Sequence, residues 1–364
     1  MRIVVCGAGY AGVTLAKRLE DGLREAEVVL VDREPSHLIQ HELHRVIRNP
    51  GLADVIRLPL ESLFDRVKVR EMEVESIDRD ERVVRCADDE IDYDYAAVCL
   101  GAETNYYDLP GVEEFSVPLK RLEHAERIRE RVTDGSRVVV GGAGLSGVQV
   151  AGELAAMDRD LSITLLEQFD AVAPNFPANF QAAVTEELET RGVDVRTETT
   201  VERATEGAIE TADGERTPYE AFVWTGGIRG PAAFGGERPP VRSDLRLDSR
   251  TFVAGDAARV VDDDGEAVPA SAQAAIREAR VVARSLVALA GRGNDGFGPR
   301  PERFTFDSPG WLVSVGDGAV AQVGPTILRG RAALALKASV GAGYLSSIGA
   351  VRNAVDLVNE EVGD

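Results

Sequence analysis

The chain has 364 residues, enough for about two domains, and 44% hydrophobic content lets it bury a core, which excludes a predominantly disordered protein. With 41 basic and 62 acidic residues the formal charge is −21, which argues against a partner bound by phosphate neutralisation, so no nucleic acid is expected. Lysine is confined to Lys17, Lys68, Lys120 and Lys337, and the acidic, arginine-preferring balance suits a salt-adapted (halophilic) source. No run approaches the roughly 18 apolar residues of a membrane span, and the opening RIVVC lacks signal-peptide order, so a cytoplasmic protein is expected. Cys6, Cys86 and Cys99 show no C-x-x-C spacing, against both a disulfide framework and a zinc site.

In chain order, a β-branched run at residues 2–6 precedes Gly7-Ala8-Gly9-Tyr10-Ala11-Gly12 and a helical pattern through Leu15 and Leu19. A second strand ends at Asp32, 20 residues beyond Gly12. Gly7 allows the tight turn, Gly9 lets the backbone approach a pyrophosphate, and Gly12 lets helix and strand pack closely, while Asp32 accepts ribose hydroxyls. Residues 67–97 read as a β-meander whose last strand runs into Gly101 and Ala102.

The unit then recurs. A strand at residues 137–140 leads into Gly142-Ala143-Gly144-Leu145-Ser146-Gly147, a helix over 148–156 and a strand ending at Glu167, again 20 residues past the last glycine. Two matches of motif plus spaced acid predict two dinucleotides. A strand at 222–224 runs into Gly226 and Gly227, a Gly/Pro-rich crossing spans 230–240, and a strand at 251–254 ends at Gly255 and Asp256. A helix is predicted over 269–289, a linker over 291–301, and a mixed tail from 304. In the tail Leu336, Val340, Tyr344, Ile348, Val351 and Val355 recur at helical spacing as one apolar stripe. His37, His41 and His44 share a helical spacing that would permit a metal site, although none is assigned.

These residues resemble the flavoproteins with two dinucleotide-binding domains, and within them the type II NADH dehydrogenases, through VDREPSHLIQHEL, LGAETNYYDLPG, VWTGGIRG and Ala272-Gln273-Ala274-Ala275-Ile276-Arg277. The resemblance implies an α/β fold of two Rossmann-like domains, the second inserted in the first, plus a small α+β tail. Residues 1–111 and 236–303 would form the FAD domain, 112–235 the NADH domain, and 304–364 a tail for acceptor, membrane-surface or dimer contact. It places FAD against Gly7, Gly9, Tyr10, Ala11, Gly12, Asp32, Arg33, His41, Val74, Gly101, Ala102, Gly255, Asp256 and Ala272, with NADH against Gly142, Gly144, Leu145, Ser146, Gly147, Glu167, Gly226 and Gly227.

Gln273 and Gln149 take the catalytic positions, although Gln149 stands where these dehydrogenases carry Glu and Arg277 where they carry a second Gln. Glu167 would repel a 2′-phosphate, which selects NADH. The implied reaction is hydride transfer from NADH to flavin and onward to a quinone or similar small acceptor. A soluble redox-protein acceptor and a non-catalytic NADH sensor stay open as alternatives. Peripheral attachment to the inner face of the cell membrane through the tail, packing on the FAD domain and a homodimer are three readings of the same helices.

Overall fold

The structure, a computed structural model, describes residues 1–87, 89–291 and 300–362. Its first layer is a parallel sheet in the order Thr251–Val253, Tyr95–Val98, Arg2–Cys6, Glu27–Asp32, Lys68–Glu71. The central strands are apolar between their polar end residues Arg2, Glu27 and Asp32 because both faces are covered. Ile3, Val5, Val28 and Leu30 turn toward the helices Tyr10–Gly22 and Ala272–Ala290. Val4, Cys6, Val29 and Val31 turn toward an antiparallel meander of Val74–Asp78, Val83–Cys86 and Asp89–Asp92.

The second layer repeats this plan. Asp194–Arg196, Ser162–Leu166, Arg137–Gly141 and Ala221–Trp224 form a parallel sheet. Val138 and Val140 face the helix side, while Val139, Leu166 and Phe222 face the meander Val201–Thr205, Ala208–Thr211, Arg216–Pro218. The chain passes between the sheets twice, and the crossings pair antiparallel at Glu103–Thr104 and Ile228–Arg229. The expected α/β fold with two dinucleotide-type units is what the chain forms.

Two sequence expectations need correction. The meander is shorter than residues 67–97, because Lys68–Glu71 and Tyr95–Val98 are parallel strands of the main sheet. Lys68–Glu71 is an edge strand with mostly exposed polar side chains, so its pattern is that of a surface ribbon. The tail stripe is not one face. The hairpin of Gly310–Val315, Gly318–Val323 and Thr326–Arg329 leads into helices Gly330–Ser347 and Val351–Val362, separated by a turn in which Gly349 has φ +88°. The buried face is Ala333, Lys337, Ala338, Gly341, Tyr344 and Leu345, then Ala354 and Leu357, whereas Val340, Val351 and Val355 are exposed. The predicted linker over 291–301 lies mostly outside the described residues.

The tail is fastened to the first unit by polar groups. Lys337 Nζ donates to Glu42 Oε2 at 3.1 Å with both side chains buried, and Tyr344 OH donates to His37 Nε2 at 2.9 Å. Arg45 Nη1 donates to the same Oε2 at 3.0 Å. Removing one member of a buried pair is destabilising because the other charge stays desolvated, and here Arg45 limits the loss. Lys337→Met, which keeps the aliphatic stem, is therefore expected to cost about 2 kcal/mol, read as a lower denaturant midpoint with an unchanged slope.

Candidate functional site

The two glycine turns are built alike at the carboxyl edges of their sheets. Gly7 (φ +101°) donates its N–H to Val31 O at 2.7 Å, and Gly142 (φ +94°) donates to Leu166 O at 2.8 Å. A Cβ on Gly12 would lie 1.7 Å from Gly7 O, and one on Gly147 would lie 1.9 Å from Gly142 O, so helix and turn touch through bare backbone. Gly9 and Gly144 differ, since a Cβ on either would meet nothing within 4 Å. Nothing in the protein's own packing asks for glycine there, whereas a ligand lying on the backbone does.

Each of these glycines precedes a helix that carries no side-chain cap. The first intrahelical bonds are Val13 N–H to Gly9 O and Val148 N–H to Gly144 O, both 3.0 Å. The amides of Tyr10, Ala11 and Gly12, and of Leu145, Ser146 and Gly147, therefore form two positive helix ends suited to an anion.

A carboxylate closes each unit. Asp32 Oδ2 accepts the Ala8 N–H at 2.5 Å and its Oδ1 the Glu34 N–H at 2.8 Å. Glu167 Oε2 accepts the Ala143 N–H at 2.7 Å and its Oε1 the Phe169 N–H at 3.1 Å. Burial pushes the Asp32 carboxyl upward against these amides. Thr225 Oγ1 donates to Gly141 O and Gly142 O at 3.0 and 2.8 Å, which sets the strand end preceding Gly226 and Gly227 against the second turn. Gly226 lies under the Trp224 ring, and Gly227 under the Tyr107 hydroxyl.

Gly255 (φ +74°) brings the third segment to the first turn, because a Cβ there would sit 3.4 Å from both Ala11 and Ala275. Gly101 (φ +68°) and Ala102 follow Cys99 and Leu100, which back Gly7. Arg33 is exposed and pairs with Glu73 at 3.5 Å. Val74 packs in the core between the first sheet and its meander. Gln149 is half-buried on the helix Leu145–Ala155. On the helix Ala272–Ala290, Gln273 Oε1 lies 3.5 Å from Ser308 Oγ, while Arg277 donates to Asp307 O and stands over Phe306, 5.9 Å from the ring centroid.

The histidines do not share a helix. His37 lies in the strand Ser36–Leu38, His41 in the turn Gln40–Glu42, and His44 just ahead of the helix Arg45–Arg48. His37 Nδ1–H donates to Ala8 O at 2.8 Å, leaving Nε2 to accept from Tyr344, and burial lowers this imidazole to about 4. Tyr10 OH contacts His41 Nδ1. Among the described residues no group of three or more His, Cys, Asp or Glu could hold a metal ion.

The family model for pyridine nucleotide-disulphide oxidoreductases matches residues 1–279. The chain belongs to this family. It is similar to the type II NADH:quinone oxidoreductases of Staphylococcus aureus, at 26% identity over 380 residues covering 92% of this chain and 93% of that one, and of Haemophilus influenzae, at 26% over 384 residues, 86% and 84%. Among solved structures, NDH2 from Plasmodium falciparum in complex with NADH superposes with a TM-score of 0.85 at 16% identity, covering 99% and 98% of the two chains. The sulfide:quinone oxidoreductase of Aquifex aeolicus does so at 0.80 and 17%, covering 97% and 92%. Both share the fold. The family's name includes disulphide chemistry, but here Cys6, Cys86 and Cys99 are free and buried, and burial pushes the Cys6 and Cys99 thiols up, away from thiolate reactivity.

Sequence reasoning missed Glu278, Lys120 and Arg238 around Gly255 and Asp256. Arg238 donates from Nε to Asp256 O at 2.7 Å and from Nη2 to Ala258 O at 2.8 Å. Burial lowers Lys120, and the neighbouring Asp256 carboxylate opposes that shift. Glu278 had a signal, a carboxylate on the alanine- and valine-rich face of its helix.

The contrast between the glycines gives a test. Gly9→Val is expected to change the stability of the flavin-free protein by under about 1 kcal/mol while abolishing retention of FAD on gel filtration. Gly12→Ala, whose Cβ would strike Gly7 O, is expected to cost about 3 kcal/mol or more in denaturant unfolding and to lose the cofactor as well.

Proposed function

We propose that this protein is an FAD-dependent NADH dehydrogenase that passes electrons to a quinone. The observation that carries the reading is the duplication: two glycine turns on two sheets, each clamped by a carboxylate and each opening onto an uncapped helix end. A dehydrogenase acting on a soluble substrate needs one such unit, whereas transfer between two dinucleotides needs both. The long-coverage likeness to type II NADH:quinone oxidoreductases supports NADH as donor and quinone as acceptor.

On this reading residues 1–111 and 236–303 hold FAD and 112–235 hold NADH. FAD, when bound, supplies an acceptor for the nicotinamide's two electrons, and the protein supplies orientation and electrostatics. The amides of Tyr10, Ala11 and Gly12 hold the FAD pyrophosphate, Asp32 its ribose, and Asp256 its ribityl chain, with Arg33, His41, Val74, Gly101, Ala102 and Ala272 along the same cofactor. Leu145, Ser146 and Gly147 hold the NADH pyrophosphate, Glu167 the adenosine ribose, and Gly226 and Gly227 admit the nicotinamide half. Gln149 orients NADH by hydrogen bonding, since an amide carries no exchangeable carboxyl proton there. Gln273 serves the acceptor side beside Ser308 and Arg277.

No helix among the described residues is long and apolar enough to cross a membrane. A lipid-soluble acceptor favours surface attachment through the exposed Val340, Val351 and Val355 of the tail. A second copy of the chain is the other candidate to cover these exposed side chains, and co-sedimentation with anionic vesicles separates the two.

Anaerobic mixing with NADH is expected to bleach the flavin band, and a short-chain quinone to restore it rapidly. Bleaching without recovery would point to a protein acceptor or a sensing role, and a protein purified without flavin and unable to bind it would overturn the reading. Glu167→Gln retains the oxygen that accepts the Ala143 N–H but removes the charge that repels a 2′-phosphate. The ratio of kcat/KM for NADH over NADPH is expected to fall about tenfold in this variant.

A further inference from the structure

The helix Ala272–Ala290 buries Ala274, Ala275, Glu278, Ala279, Val281 and Val282, so a carboxyl group occupies a position where the helical pattern calls for an apolar side chain. Glu278 is 2% exposed. A carboxyl group is withdrawn from water at such a place only against a cost, and its interactions must offset it. Its Oε2 accepts the N–H of Gly255 at 2.6 Å. Gly255 has φ +74°, lies in van der Waals reach of Ala11 in the first turn, and immediately precedes Asp256.

The loop is thus gripped from two sides: Arg238 donates to the carbonyls of Asp256 and Ala258, and Glu278 accepts the amide of Gly255. Without Glu278 that amide would lose its partner, and the loop would keep only its carbonyl anchors. The charged groups facing Glu278 are Asp256 from the loop and Arg238 from the crossing segment, and the thiol of Cys99, just past the strand Tyr95–Val98, is kept neutral by burial. Lys120 lies nearer Asp256 than Glu278 in its influence.

We propose that Glu278 is a positioning residue for FAD, which fixes the Gly255–Asp256 loop through the Gly255 amide. The inference rests on the flavin reading of the site. Burial pushes Glu278 up to about 7, the Asp256 carboxylate pushes the same way, and the Gly255 N–H and Arg238 pull against them. Below that pH the side chain is uncharged beside an anionic dinucleotide. As pH rises the carboxylate forms, repels the phosphates, and FAD binding weakens by up to about tenfold per pH unit.

The test is equilibrium release of flavin from the holoenzyme, followed by flavin fluorescence on dilution between pH 6 and pH 9 for wild type, Glu278→Gln and Glu278→Ala. Wild type is expected to lose affinity above neutrality. Glu278→Gln keeps an oxygen for the Gly255 N–H but cannot ionise, so it is expected to bind as wild type does at pH 6 and to stay flat to pH 9. Glu278→Ala is expected to bind about tenfold more weakly throughout, with a circular-dichroism spectrum matching wild type. A pH-dependent Glu278→Gln, a flat wild type, or a Glu278→Ala that binds as wild type does at pH 6 would each overturn the proposal while leaving the flavin reading intact. A wild type that binds no FAD at pH 6 would overturn both.

Discussion

One hydrogen bond, made twice, sets the ligand-facing edge of this molecule: a carboxylate at the end of the second strand of each unit accepts the second amide of the glycine turn. The distances are 2.5 Å for Asp32 to Ala8 and 2.7 Å for Glu167 to Ala143. A charge-assisted bond of this kind contributes about 1.5–3 kcal/mol. Its larger consequence is geometric. With the second amide taken by the acid, the amides after Gly9 and Gly144 are left facing outward at an uncapped helix end. The same carboxylate, held by a second backbone N–H from Glu34 or Phe169, is oriented before any ligand arrives.

The clamp works only because the chain around it is bare of side chains. Gly7 and Gly142 sit at positive φ against the following strand ends, and Gly12 and Gly147 press on the carbonyls of Gly7 and Gly142. These constraints are short-range, with fixed spacing of turn, helix and acid, and for that reason both units were legible in the sequence. Which face each side chain of the run at residues 2–6 takes, Ile3 and Val5 toward helices and Val4 and Cys6 toward a meander, was not legible, because a strand covered on both sides reads as one apolar run.

What escaped the sequence is what depends on distant partners. Lys68–Glu71 carries the polar pattern of a surface ribbon, and only its pairing with Glu27–Asp32 makes it the edge of the main sheet. The tail residues Val340, Val351 and Val355 continue a helical stripe on paper, yet Val340 lies off the buried face of its own helix, and the turn at Gly349 redirects the chain and leaves Val351 and Val355 outside. Lys337 reads as a surface lysine until Glu42, 295 positions away, accepts it in the interior. Glu278 likewise gains its meaning only from Gly255. No local spacing encodes such pairs, because each is chosen by the packing of elements far apart in the chain.

The tail contact also joins the two ends of the molecule's logic. Ala8 gives its N–H to Asp32 and its carbonyl to His37, whose other nitrogen accepts the Tyr344 hydroxyl of the tail helix. The first glycine turn is therefore held from its ligand side by the acid and from its back by the tail, so the tail's docking and the turn's shape are physically linked. Charge is constrained around the helix Ala272–Ala290 as well. Arg277 spends its guanidinium on Asp307 O and the Phe306 face, so it is a tethered cation at the edge of an aromatic cluster that includes Trp311 and Phe176. In a chain of net charge −21, an acidic protein carrier would meet repulsion over most of its approach. Phe306, Gln273 and Ser308 combine an aromatic surface with polar groups beside it.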